Sequence, residues 1–235
     1  MKALSLVIFF IALAFTFVYG QTKTEKLYTE SFNQENCHFV NINMGMNPYF
    51  YLRPNYQLTL VGVKDKDTTQ LVITVLNDTK TIGNINTRVV EERESVNGKV
   101  VEVSRNYVAM CKETGSIFYF GEDVDIYKGD TVATHSGTWI GEGSNRPGIL
   151  MPGLPLLGAR YYQEIAPGIA MDRAEVISMT DSMTTAAGTF KNVLKILETT
   201  PLEPGDKSFK FYALYVGLVK DGNLTLVKYG QAGAK

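Results

Sequence analysis

The sequence is poor in the residues on which most enzymatic and metal chemistry depends. Its 235 residues include two histidines, two cysteines and one tryptophan. With only His38 and His135 there is no histidine-rich metal centre to build. The chain contains no G-x-S-x-G elbow, no H-E-x-x-H, no G-x-x-x-x-G-K phosphate loop and no G-x-G-x-x-G turn. The local signatures of serine hydrolases, zinc proteases, nucleotide hydrolases and dinucleotide enzymes are therefore missing, and no cofactor is expected. An excess of one charge is lacking too. Lys plus Arg number 23 and Asp plus Glu 24, and the basic residues are scattered, so there is no electrostatic case for nucleic acid or an anionic membrane. Beyond residue 20 no apolar run is long enough to span a bilayer. No repeat, low-complexity tract or Ser/Gly-rich linker divides the chain.

The apolar run the chain does have lies at its start. Lys2 is followed by an apolar stretch from Ala3 to Phe17, and Val18-Tyr19-Gly20 places modest residues before Gln21. Residues 1–20 read as a secretory signal peptide. The alternative, a retained anchor, has a short hydrophobic run and a polar stretch immediately behind it. No cysteine stands at the cleavage point, which argues against a lipid-anchored lipoprotein. Residues 21–46 read as an extended N-terminal segment and 47–235 as a single β-rich domain, expected as a monomer in a secreted or periplasmic setting. In that compartment Cys37 and Cys111 favour one disulfide, with two unrelated buried thiols as the alternative. The sequons at Asn77 and Asn223 are glycosylation sites if the host is eukaryotic.

What the sequence has in quantity is short β-branched and aromatic runs bounded by turn residues. Strands are predicted at Gln57–Val63, Gln70–Leu76, Asn86–Ser95, Val100–Cys111, Ser116–Tyr127, Thr131–Trp139, Arg160–Ile165, Ala174–Met179, Lys191–Thr199, Phe209–Val216 and Leu224–Tyr229. Phe190–Leu197 also carries helical spacing, but Gly188, Pro201 and its β-branched content favour a strand. Asn97-Gly98 suits a two-residue type I′ hairpin. Glu113-Thr114-Gly115 and Lys128-Gly129 are further reversals. The fold class is all-β: a curved antiparallel meander closing toward a barrel or half-barrel. Gly141–Glu164, with its Pro and Gly among Ile149, Leu150, Met151, Leu154, Leu156 and Leu157, reads as an irregular apolar loop rather than a central strand. It is expected to plug the barrel or to face a ligand.

The turns set a register. A two-residue loop at 97–98 pairs Arg93 with Glu102 and Val89 with Asn106. A three-residue loop at 113–115 pairs Met110 with Phe118, Val108 with Phe120, Asn106 with Glu122 and Arg105 with Asp123. A turn at 128–129 brings His135 opposite Glu122. Asn106, Glu122 and His135 would then form one row, a candidate acid/base site, against the plainer reading of a solvated sheet rim. Glu164 with Asp172 is a second carboxylate pair. Asp123, Asp125 and Asp130 match no calcium loop, and an ion pair between Asp123 and Arg105 accounts for them better. Cys37, His38, Met44 and Met46 are soft donors, but a disulfide would withdraw Cys37, and no metal is expected. Trp139, Leu150, Met151 and Tyr162 are the candidate ligand contacts, with Phe118 and Phe120 read as core.

Five segments in order, "NPYFYLRPNYQLTLVG", "FYFGEDV", "SGTW", "RPGILMPGLPLLGARYYQEIAPGIAMDRAEV" and "YVGLVK", resemble a family of secreted, mostly bacterial, β-rich proteins with no established biochemical activity. The resemblance runs from about Asn47 to Lys220. The closing "GTFKNVLKI" and "FYALYVGLVK" are similar to a pattern of cell-envelope lipoproteins built on curved antiparallel sheets. The resemblance implies the fold and a secreted or cell-envelope setting. It also implies Asp where this chain has Asn106 and Cys111, and an acid where it has His135. By that comparison the Cys37–Cys111 pair is a lineage-specific disulfide and the Asn106–Glu122–His135 row a weakened acidic one. The reading that results is non-catalytic binding of a small or apolar ligand within the sheet. A hydrolase or isomerase using the acidic/His row, and a cell-surface structural or interaction protein, are the alternatives.

Overall fold

The structure, a computed structural model, describes residues 27–42 and 45–233. The expected leader and Met44 lie outside the described residues. A single turn of 3-10 helix, Gln34–Asn36, precedes strand β1, Phe39–Val40. The long meander follows: β2 Tyr56–Lys64, β3 Asp67–Ile82, β4 Ile85–Val96, β5 Lys99–Cys111 and β6 Ile117–Lys128. Short strands come next: β7 Thr131–Thr134, β8 Trp139–Ile140, β9 Arg146–Met151, β10 Arg160–Tyr162 and β11 Glu164–Ile165. The chain closes with β12 Arg173–Thr185, β13 Gly188–Thr199, β14 Ser208–Ala213, β15 Gly217–Asp221 and β16 Leu224–Gln231. Phe190–Leu197 is strand, as its β-branched content favours. No helix among the described residues is long and apolar enough to cross a membrane.

Neighbours in the sheet run β10-β12-β13-β14-β15-β16-β2-β3-β4-β5-β6-β9-β11, every named ladder antiparallel. The order begins and ends in one segment. Arg160–Tyr162 pairs with β12, then, past Gln163, Glu164–Ile165 pairs with β9. The sheet is thus a nearly closed barrel whose seam is bridged by six residues handed from one wall to the other. Gly148 permits the crossing. A Cβ there would stand 2.4 Å from the Tyr162 carbonyl and 2.6 Å from that of Gln163.

The registers show where turn chemistry decides and where bulges intervene. Asn97 and Gly98 take φ of 51° and 79°, and Val96 pairs with Lys99, the geometry of a type I′ turn. A shift just beyond the turn then moves the pairing by one, so Glu94, not Arg93, opposes Glu102, and Val90, not Val89, opposes Asn106. The next hairpin has a longer loop than expected, with the Cys111 amide bonded to the Ser116 carbonyl at 2.9 Å, so Met110 opposes Ile117 and Val108 opposes Tyr119. An irregularity at Phe120 cancels the offset, restoring Asn106 opposite Glu122 and Arg105 opposite Asp123.

The sheet buries both faces near this hairpin, as two-sided apolarity requires. Inside, Leu52, Leu60, Val108, Met110, Ile117, Met151, Leu194, Ile196 and Leu226 belong to one cluster. Outside, Tyr107, Ala109, Phe118 and Phe120 form a second, roofed by Phe32 and Phe39 of the N-terminal segment. Cys37 and Cys111 form the disulfide that pins this segment to β5.

Two expectations for Gly141–Glu164 are corrected. Arg146–Met151 is a strand despite Pro147. Pro147 sits at its second residue, beside β11, while pairing with β6 starts only at Gly148, so the missing N–H breaks no continuous ladder. Nor do the loop's leucines plug the barrel: Leu154, Leu156 and Leu157 are 78%, 63% and 70% exposed. The end is stopped by Asn47–Leu52 instead. Leu52 and Tyr49 are buried, and Asn47 ties the plug down by donating to the Gly115 carbonyl (2.9 Å) while accepting from the amides of Tyr49 and Phe50 (both 3.1 Å).

Candidate functional site

The expected row is half formed. Asn106 and Glu122 stand opposite each other, but Trp139 rather than His135 faces Glu122 from the next strand. The hairpin turns at Gly129-Asp130, with Lys128 opposite Thr131, and a bulge between Ile126 and Tyr127 adds a further offset, so His135 stands at the rim, where its Nδ1 lies 2.9 Å from Asp125 and 3.0 Å from the Val124 carbonyl. Arg105 bonds Asp125 at 3.0 Å and approaches Glu91 at 3.5 Å, whereas Asp123 is held by Lys80 at 3.1 Å and by the Tyr107 hydroxyl. The expected Arg105–Asp123 pair is backbone-opposed but not bonded, because a diagonal neighbour suits the long guanidinium better.

The other candidates fall into place around the wall. Leu150 lines a pocket in the lumen, Met151 and Trp139 are buried in the inner cluster, and Tyr162 stacks edge-on against Tyr28. Asn77 and Asn223 are both exposed. The His38 ring takes Glu113 as its partner. The one three-residue group of potential ligands close enough to share a metal ion among the described residues is Cys37, Cys111 and Glu113, and two of its members are spent in the disulfide.

What the sequence did not reveal is the chemistry of the barrel's inside. Alternation sends one side chain in two inward, and on several strands the inward residue is acidic. Glu92 on β4 opposes Ile73 and Ser104, and Glu94 opposes Glu102. Glu122 stands beside the hydroxyls of Ser104 and Tyr119. Across the lumen, Lys210 of β14 bonds Glu198 at 2.8 Å and lies 3.9 Å from Asp221 of β15. Gln163, at the seam, donates to Glu198 at 3.1 Å. Glu164 accepts the Asp172 amide at 2.8 Å, so that carboxylate is committed to holding the loop between them.

This arrangement packs more acid than base into a shielded space. Lys210 is the cation that acts on Glu92, Asp172 and Asp221, and all three also feel the Glu198 carboxylate. Burial, reinforced by neighbouring carboxylates, pushes the carboxyls of Glu122, Glu164, Asp172 and Asp221 above their ordinary range. Glu92 is raised to about 7, desolvation being the largest cause, with Glu122, Asp221 and Glu198 adding to it and Lys210 opposing. Lys210 is held well above its usual value by Glu198, Tyr212, Asp221 and Glu92, against the pull of desolvation.

A pocket opens onto this group. Tyr49, Tyr51, Tyr56, Ile73, Val75, Leu150, Tyr212, Val216 and Leu218 form its walls, and Glu92, Lys210 and Asp221 its polar end. It holds about 660 Å³ of empty space, the part open to solvent included. Glu92 is thus enclosed by the barrel wall yet partly wetted by the pocket.

The raised Glu92 carboxyl gives a pH test. The folded chain keeps that proton where the unfolded chain, with a value of 4.5, has lost it. Stability therefore falls as pH rises from about 4.5 to about 7, and the penalty is fully present above that window. At about 1.4 kcal/mol per pH unit, the loss is about 3 kcal/mol. Urea unfolding at pH 5 and pH 8 should show Glu92→Gln losing most of this slope. A variant as pH-sensitive as the parent would contradict the assignment. No family model, curated protein or solved structure matches this chain.

Proposed function

We propose that the protein binds a small ligand with an apolar body inside its barrel, without transforming it, in an extracytoplasmic setting. The observation that supports this most is the lumen pocket: a tyrosine- and aliphatic-walled space ending in a few polar groups. The disulfide and the leader-like first twenty residues support the setting. The acid/base alternative loses its imidazole, since His135 points to the rim and Glu122 into the barrel wall's inner row.

Native mass spectrometry of the purified protein, with melting in the presence of small amphiphiles, tests the proposal. The expected result is a bound small molecule, or a rise in Tm with an amphiphile, that is lost in Ile73→Trp, where an indole fills the pocket beside Glu92. Far-UV circular dichroism checks that this variant folds, and Val75→Trp serves if it does not. A chain that carries nothing and whose Tm no amphiphile moves would overturn the reading.

A further inference from the structure

We infer that the lumen site selects an organic cation, an ammonium or guanidinium head on an apolar body, seated with its head between Glu92 and Asp221. This rests on the pocket being a ligand site and adds the chemical class of the ligand.

The argument begins with charge. The pocket's one lysine is already matched by Glu198 at 2.8 Å and Asp221 at 3.9 Å. Glu92, from the opposite wall, has only this already shared lysine within electrostatic reach, and Glu94, Glu102 and Glu122 add further carboxylates around it. An anionic head would meet these carboxylates before it could take Lys210 from its partners. A cationic head adds the charge the lumen is short of.

The cation is not a bare metal ion. Among the described residues no three lumen carboxylates bring ligand oxygens within reach of one ion. Carboxylates spread around a ring suit a polyatomic head that donates several separated hydrogen bonds. The walls are compatible with this, since Tyr49, Tyr51, Tyr56 and Tyr212 line the pocket, and aromatic rings can take both a cation and an apolar body.

Three probes sharing one apolar body decide the matter: n-hexylamine, n-hexanol and n-hexanoate, titrated calorimetrically into the full-length mature protein at pH 8. The expected result is that hexylamine binds at least tenfold more tightly than hexanol and that hexanoate does not bind. Glu92→Gln should weaken hexylamine about tenfold and leave hexanol unchanged. Asp221→Asn provides the same readout from the other wall if Glu92→Gln is poorly folded. Hexanol binding as tightly as hexylamine would overturn the cation inference while leaving the pocket a ligand site. Preferential binding of hexanoate would overturn it in favour of Lys210 as an anion anchor. Failure of all three to bind would remove both the inference and the proposed function.

Discussion

Lys210→Met should destabilise the protein by about 3–5 kcal/mol at pH 8, the range for stripping one partner from a buried ion pair. Lys210 bonds Glu198 and approaches Asp221 inside the barrel, with Glu92 on the facing wall. Without the ammonium these carboxylates must either ionise uncompensated in a poorly solvated space or take up protons. The penalty is therefore greatest where carboxylates are normally ionised and fades as pH falls toward 4, so the variant should approach the parent's stability near pH 4–5. The parent's lysine, held above 10.5, contributes stability that is fully present below that pH and is lost only as pH climbs through its raised folded value. Guanidinium unfolding across pH 4–9 reads both effects. Adding Glu198→Gln to Lys210→Met should recover part of the loss, because the orphaned charge is then gone. A loss below about 1 kcal/mol at pH 8 would mean that the lumen is wetter and better screened than the geometry indicates.

The second large effect belongs to the disulfide. Cys37 and Cys111 are separated by 74 residues, and closing a loop of that length removes unfolded-chain entropy worth about 4 kcal/mol at 25 °C. The bond also holds Phe32 and Phe39 over Phe118 and Phe120. Cys37→Ala/Cys111→Ala, or the parent treated with dithiothreitol, should lose about 3–5 kcal/mol, which for a domain of this size lowers Tm by roughly 10 °C. The inner lumen should stay largely intact, since the cluster that the bond secures, built on Tyr107, Ala109, Phe118 and Phe120, lies on the outer face of β5 and β6. A double variant that melts with the parent would show that the outer cluster holds the segment without covalent help.

The fold was largely legible because its signals are local. Asn97-Gly98 specifies its turn through two left-handed residues, and alternation marks the long strands. Registers were readable only where no extra residue intruded. Asn106 opposite Glu122 came out correctly because two errors cancelled, a longer loop at 112–115 and the irregularity at Phe120. His135 falls elsewhere because the third hairpin turns one residue later than expected, at Gly129-Asp130, and the bulge between Ile126 and Tyr127 adds to that offset instead of cancelling it. Strand β9 was hidden by Pro147, whose cost depends on which neighbour lies beside it, a tertiary fact.

The acidic lumen was illegible for a deeper reason. Alternation says which residues share a face, not which face is inside. Glu92, Glu198, Lys210 and Asp221 each sit in an ordinary polar position of an alternating strand, where solvent is the default neighbour. Only closure of the barrel turns those positions toward one another, from strands more than a hundred residues apart. A usable hint was present in "FKFY", where Phe209 and Phe211 flank Lys210: with aromatics on one face, the lysine must share the other with Tyr212.

The six-residue seam has a consequence for how the molecule breathes. Everywhere else each strand is hydrogen-bonded to both its neighbours in the ring, while Arg160–Ile165 serves one wall with its first half and the other with its second. A ring spliced in this way has a preferred place to part. Amides of β10, β11 and the flanking stretches of β9 and β12 should exchange with deuterium ahead of those in β3–β5, through openings that leave the meander folded. Such an opening lengthens the circumference without breaking the long ladders, so the lumen can alter its girth while the walls that carry Glu92 and Lys210 keep their register.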